Sequence, residues 1–141
     1  MNENEKTARI ILEVAAEVAR STAKHGDQNH LPLGTGPHVE ALSFAGDGQT
    51  AENLAQQAKY WTDERSKAHG DGTVTWRDIL TEEVFEAYAE DDPIAVRAEL
   101  VQVASVAVKM IAAIDASPAG LKEQLRKVFT AGPNEMFGPV R

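Results

Sequence analysis

Apolar residues recur at helical spacing along most of this chain. From about Glu3 to Lys24, Ile10, Ile11, Val14, Ala15 and Val18 share one face and Glu13, Glu17 and Arg20 the other, which predicts an amphipathic packing helix. A second helix is predicted from about Thr50 to Lys67, with Leu54, Ala55, Ala58 and Tyr60 or Trp61 on its apolar side. Thr75, with Asp78 three residues on, has the spacing of a capped helix start, and Ile79, Leu80, Val84 and Ala87 carry that helix to about Glu90. Pro93 suits the first turn of the next helix, since it lacks only an N–H that would be unpaired there, and Asp91 or Asp92 is placed to cap it. From Leu100 to Ile114 this helix is apolar almost all the way round, so burial on most sides is expected. Ser117-Pro118-Ala119-Gly120 then breaks the helix, and Leu121 to Phe129 forms a short one.

These elements predict an all-α fold: four main helices in one domain spanning 1–130. Residues 131–141 hold two glycines, two prolines and no pattern, and are expected to form a mobile tail or an arm across a neighbouring subunit. The apolar wrap of the 93–115 helix exceeds what one small bundle needs, so a homo-oligomer, dimer or tetramer, is expected.

Polar positions on the two helices of the 75–115 hairpin change the picture. Glu83, Glu86 and Glu90 fall on one side of the first, which taken alone describes a solvated acidic face. On the second, Glu99, Gln102, Ser105 and Lys109 share a stripe about 120° wide on an otherwise apolar rod. A charged group on a buried helix has to be paired or bound to a cation. If the hairpin closes with these faces together, Glu83, Glu86 and Glu99 converge with Gln102 beside them. Three like charges in one place repel unless a cation joins them, and an all-oxygen set suits magnesium or manganese.

The string Glu82-Glu83-x-x-Glu86, followed on the next helix by Glu99-Leu100-Val101-Gln102, resembles the paired ExxE and ExxD motifs of the MazG-like all-alpha nucleoside triphosphate pyrophosphohydrolases. The fuller run TWRDILTEEVFEA…DDPIAVRAELVQVASVAV, with HGDQNH upstream, is similar to a subgroup found in actinobacteria and their phages; the resemblance covers roughly residues 5 to 115. It implies a four-helix-type bundle, magnesium as cofactor, and cleavage of a nucleoside triphosphate to the monophosphate and pyrophosphate. Carried over residue by residue, it implies Glu83, Glu86 and Glu99 as metal ligands, with Gln102 where the family usually has aspartate. An amide oxygen still coordinates a cation but brings no charge, so a second metal would be held less tightly. Among catalytic groups, Glu83 and Glu86 are joined by Glu82 as an additional base, or Glu82 is a surface charge, because a helix neighbour of Glu83 points about 100° away. Lys109 either reaches a phosphate oxygen or pairs with the Glu99 side of its stripe. The alternative function is a MazG-like protein that has lost turnover and binds or sequesters a nucleotide, which Gln102 favours.

The segment from His25 to Gly48 holds five of the ten glycines, two prolines and three of the four histidines, and reads as a long loop. His25, Gln28 and His30 lie in a run dense in hydrogen-bonding side chains, suited to contacting a base or sugar. The other reading is a turn in which Asp27 and Asn29 bond their own backbone. Trp61 is a core or interface anchor, or stacks on a base. The spacing of His25 and His30 matches no common zinc site, and no cysteine supports one. Gly34-Thr35-Gly36-Pro37 lacks the following Gly-Lys-Ser/Thr of a phosphate loop. Asp71-Gly72-Thr73-Val74-Thr75 resembles the centre of a calcium loop, but Lys67, His69 and Asp78 stand where its ligands are needed.

Composition narrows the classes further. With no cysteine in 141 residues, a disulfide scaffold, cysteine-ligated zinc and thiol catalysis are excluded. Lys109 interrupts the longest apolar run and MNENEKTARI is too polar for a signal peptide, so no membrane association and a cytoplasmic location are expected. A net charge of -8 argues against general nucleic-acid binding and requires a cation between any phosphate substrate and the carboxylates.

Overall fold

A computed structural model of the chain describes residues 1–42, 48–69 and 74–130, apart from the side chains at 68, 69, 124 and 128–130. Its described residues form an all-α structure: α1 Glu3–His25, α2 Ala51–His69, α3 Trp76–Ala89, α4 Pro93–Asp115 and α5 Pro118–Thr130.

Local chemistry sets the helix ends. Asn2 and Glu5 form a reciprocal capping box at the start of α1, each side chain accepting from the other's backbone N–H at 2.9 Å. At the other end Gly26, with φ 72°, donates its N–H to Thr22 O at 2.8 Å. His25 is thus the last helical residue rather than the first of the loop. The predicted box at α3 is present: Thr75 Oγ1 accepts from Asp78 N at 3.2 Å, and Asp78 Oδ2 accepts from Thr75 N at 3.0 Å. Pro93 opens α4, and Asp92 Oδ1 accepts from Ile94 N at 3.4 Å.

The break after α4 is shorter than expected. Pro118 does not interrupt a helix but begins α5, where its missing N–H costs nothing, and Ser117 Oγ accepts from Gly120 N at 3.1 Å as the cap. A Cβ on Gly120 would fall on the carbonyl oxygen of Ile114, so this tight corner accepts only glycine.

The chain divides into two compact units. One comprises Met1–Leu31 and Val108–Arg141 and contains α1, α5 and the end of α4; among its described side chains Ile10 is the buried apolar one. The other is Pro32–Ala107, in which α2 packs on α3. Arg65 on α2 donates to Asp78 at the start of α3 at 2.6 Å. Lys59, earlier on α2, acts electrostatically on Glu86, later on α3, so the two helices run antiparallel. The described residues between Gly36 and α2 are docked rather than free. Gly36 N donates to Tyr88 O at the end of α3 at 2.8 Å, while Ala51 N and Glu52 N donate to Val39 O and Pro37 O at 2.9 and 3.1 Å. Those bonds occupy backbone groups that helix ends leave without intrahelical partners.

The burial of α4 corrects the sequence expectation. Within 93–107 only Val96 and Val106 are buried, and Ile94, Leu100 and Val101 are exposed. Ala95, Val96, Glu99 and Val103 lie on its inner side, so an all-round apolar pattern does not mean burial of every face within one chain. Among the described residues, no single helix is long and apolar enough to cross a membrane. The 131–141 segment and most of the calcium-loop-like Asp71–Thr75 stretch lie outside the described residues.

Candidate metal centre on the α3–α4 hairpin

Glu83 and Glu86 stand three residues apart on α3 and therefore share a face, with Ile79 one turn before Glu83 on the same side. The three-residue joint Glu90–Asp92 returns the chain so that Glu99, on the inner side of α4, meets them. Each of the three side chains offers a carboxylate oxygen, and these oxygens all lie within 4.8 Å of one another. All three residues are half-buried.

This arrangement is electrostatically costly for the bare protein. Burial pushes the Glu86 carboxyl up to about 7, helped by Glu83, Glu99 and Glu82 and opposed by Lys59. Burial also raises Glu83, with Glu99 and Glu82 adding to the effect. Glu82 is one full turn before Glu86, which explains why it acts on that carboxylate although it points away from Glu83.

The donor set fits a hard divalent cation. Octahedral magnesium with ligands at about 2.1 Å separates opposite oxygens by about 4.2 Å. An upper separation of 4.8 Å is therefore within a small side-chain adjustment of that shell. Manganese takes the same oxygen ligands.

Gln102 is exposed on α4, toward the outer face from Glu99. Lys59 on α2 is the positive group that the sequence reasoning missed. Its side chain is largely exposed, it lies 3.8 Å from Asp63 Oδ2, and it lowers the cost of charging Glu86. The available signal was its place at the edge of the α2 face that carries Ala51, Ala55, Ala58 and Thr62.

The remaining candidates are placed as follows. Trp61 is exposed on α2 and meets Tyr60 edge to face, with centroids 5.2 Å apart. His25, Gln28 and His30 are exposed in the other unit, as is Lys109. Gln28 lines a polar cavity of about 340 Å³ with Ser21, Thr22, Gly26, Asp27 and Asn29. Asp27 Oδ1 accepts from Asn29 N at 2.8 Å, so the run includes the turn bonding that its alternative reading required.

No protein-family model, curated protein or solved structure matches the chain.

Proposed function

We propose that this chain is a magnesium-dependent nucleoside triphosphate pyrophosphohydrolase, producing the monophosphate and pyrophosphate. The observation that carries this reading is the convergence of Glu83, Glu86 and Glu99 from two helices into one half-buried carboxylate set. Its support from sequence is the resemblance of the paired motifs to the MazG-like enzymes.

Glu83, Glu86 and Glu99 would hold the cation. Bound magnesium would neutralise phosphate charge and offer a Lewis acid to phosphoryl oxygens. On the protein side, Lys59, whose charge is felt at Glu86, would take a further phosphate oxygen. Glu82, off the ligand set yet one turn from Glu86, is available to accept the proton of the attacking water. Water oxygen bonds to the α-phosphorus as the bond to the α–β bridging oxygen breaks. Pyrophosphate departs with that oxygen, and the water's protons pass to the base and the products.

Gln102 supports a second reading. Where the family usually has aspartate this chain has a neutral, exposed amide, and a protein with that change would bind a nucleotide without turning it over. A panel of nucleotides incubated with magnesium decides between them: monophosphate plus pyrophosphate supports hydrolysis, and tight binding without products supports sequestration. Full turnover in excess EDTA would overturn the metal-dependent reading.

A further inference from the structure

Thr62 Oγ1, on the face of α2 that packs against α3, is buried and has no hydrogen-bond partner among the described residues. A helical threonine commonly turns its hydroxyl back to the carbonyl four residues earlier, and Thr62 does not. A buried hydroxyl left in this state costs stability, so its retention calls for a use. We infer that Thr62 is a positioning residue for Glu82 on α3, its hydroxyl donating to that carboxylate when a divalent cation is held by Glu83, Glu86 and Glu99.

Helix register identifies the group opposite. α2 and α3 run antiparallel and are tied at two levels: Arg65 donates to Asp78 at 2.6 Å, and the charge of Lys59 acts on Glu86. Thr62 is the midpoint of 59–65 on α2 and Glu82 the midpoint of 78–86 on α3, so the two stand at one level. Direction agrees with level. At about 100° per residue, Glu82 is turned about 40° from Asp78, which faces α2, and Thr62 about 60° from Arg65, which faces α3. α2 thus sets Arg65, Thr62 and Lys59 against Asp78, Glu82 and Glu86. Thr81 is the other polar residue near this level, about 60° from Asp78 on the opposite flank. As a neutral hydroxyl it is a weaker acceptor than a carboxylate, which carries charge and only accepts.

Charge explains why the bond waits for the cation. In the bare protein Glu82 is among the carboxylates that repel Glu83 and Glu86, and turning it inward against α2 adds to that repulsion. Neutralising the trio removes the opposition. With one oxygen held by Thr62, the other is fixed in place for the proton of the attacking water, as a general base requires. What the base does rests on the proposed hydrolysis; the pairing of Thr62 with Glu82 does not.

The test uses the full chain and Thr62→Val, which keeps the shape of the side chain and removes the hydroxyl. In EDTA the variant should melt no lower than wild type, because the hydroxyl bonds nothing there. With magnesium, kcat for a nucleoside triphosphate should fall about tenfold while KM and magnesium affinity hold, and Thr62→Ser should restore most of the loss. Thr81→Val should leave kcat alone. A cycle of Thr62→Val, Glu82→Met and the double variant reads the pairing without turnover: melting temperatures should be non-additive in magnesium and additive in EDTA. A coupled cycle in a wild type that makes no products would sink the hydrolase reading and leave the pairing standing. Additive melting temperatures in magnesium, coupling to Thr81 instead, or a Thr62→Val loss of stability equal in EDTA and magnesium would overturn the pairing. In an active wild type, so would a kcat untouched by Thr62→Val.

Discussion

Arg65 on α2 donates to Asp78 on α3 at 2.6 Å, and the Asp78 carboxylate also closes the capping box with Thr75. One side chain therefore both starts a helix and fixes it to its neighbour. Hydrogen bonds from Thr75 and the Arg65 guanidinium hold its carboxyl below the usual range despite partial burial. Asp78→Ala is expected to destabilise the fold by about 1–3 kcal/mol through the lost cap and the lost hydrogen bond from Arg65. The sign with pH follows from the lowered value: the wild-type contribution is complete above the ordinary carboxylate range and fades as pH falls through the folded value. Denaturation curves at pH 7 and pH 3 should show the gap between wild type and variant shrinking in acid.

Glu86 behaves in the opposite sense. Its folded value of about 7 lies above the ordinary 4.5, so the folded protein retains a proton that the unfolded chain has released. Without divalent cations, stability should fall as pH rises between these values. Glu86→Gln should flatten that fall and raise the melting temperature in EDTA at pH 8. Magnesium should stabilise the wild type more at pH 8 than at pH 6 and leave the variant unmoved. Thermal melts at the two pH values, with magnesium or EDTA, check all three outcomes.

Lys59→Met keeps the bulk of the side chain and removes the charge beside Glu86. Turnover of a nucleoside triphosphate is expected to fall by about tenfold to a hundredfold if the ammonium contacts a phosphate oxygen, a loss of about 1.4–2.7 kcal/mol. The Glu86 carboxyl should also rise further, which a carbonyl-labelled NMR titration would read. Unchanged kinetics alongside a shifted titration would confine Lys59 to its electrostatic role.

Gln102→Asp restores the charge of the resembling motif. It should tighten magnesium binding if the residue turns toward the carboxylates when the cation is present. A calorimetric titration with unchanged affinity would place Gln102 outside the ligand set, while turnover appearing only in the variant would favour sequestration by the native chain.

For the loop after α1, Gln28→Ala and His30→Ala are expected to raise the Michaelis constant and blur discrimination between bases, with metal affinity unaltered. Kinetic constants for several nucleotides on each variant provide the check. If every constant matches wild type, the turn bond from Asn29 to Asp27 describes all that the segment does.

Much of the helical layout was legible because short-range chemistry dictated it. Thr75 with Asp78 marked the start of α3, and Pro93 after two aspartates marked α4. The convergence of Glu83, Glu86 and Glu99 was legible for a related reason: a short joint leaves two helices little choice but to lie side by side. Lys59 was not legible, since its position depends on how α2 lies against α3, and no local spacing encodes that. The exposure of Leu100 and Val101 was hidden for a similar reason. Apolar periodicity records that a face wants covering, but not whether the cover belongs to the same chain. The break after Asp115 was legible, but α5 starts three residues earlier than the pattern implied, because a proline that ends one helix and one that opens the next differ only in what precedes them, here Ser117 as a cap.

Among the described residues of the Pro32–Ala107 unit, the most deeply covered apolar side chains are methyl groups: Ala51 shows none of its surface and Ala87 2%. Ala87 is the immediate neighbour of Glu86, so one of these covered positions adjoins the candidate ligands. At such covered alanines there is little volume to delete, and a gained methylene is the change expected to cost most. Drift toward larger residues at 87 would displace the helix that carries two of the three carboxylates before it unfolded anything. Under the proposed function, selection acting through the spacing of the carboxylates would thus hold this alanine as firmly as it holds a glutamate.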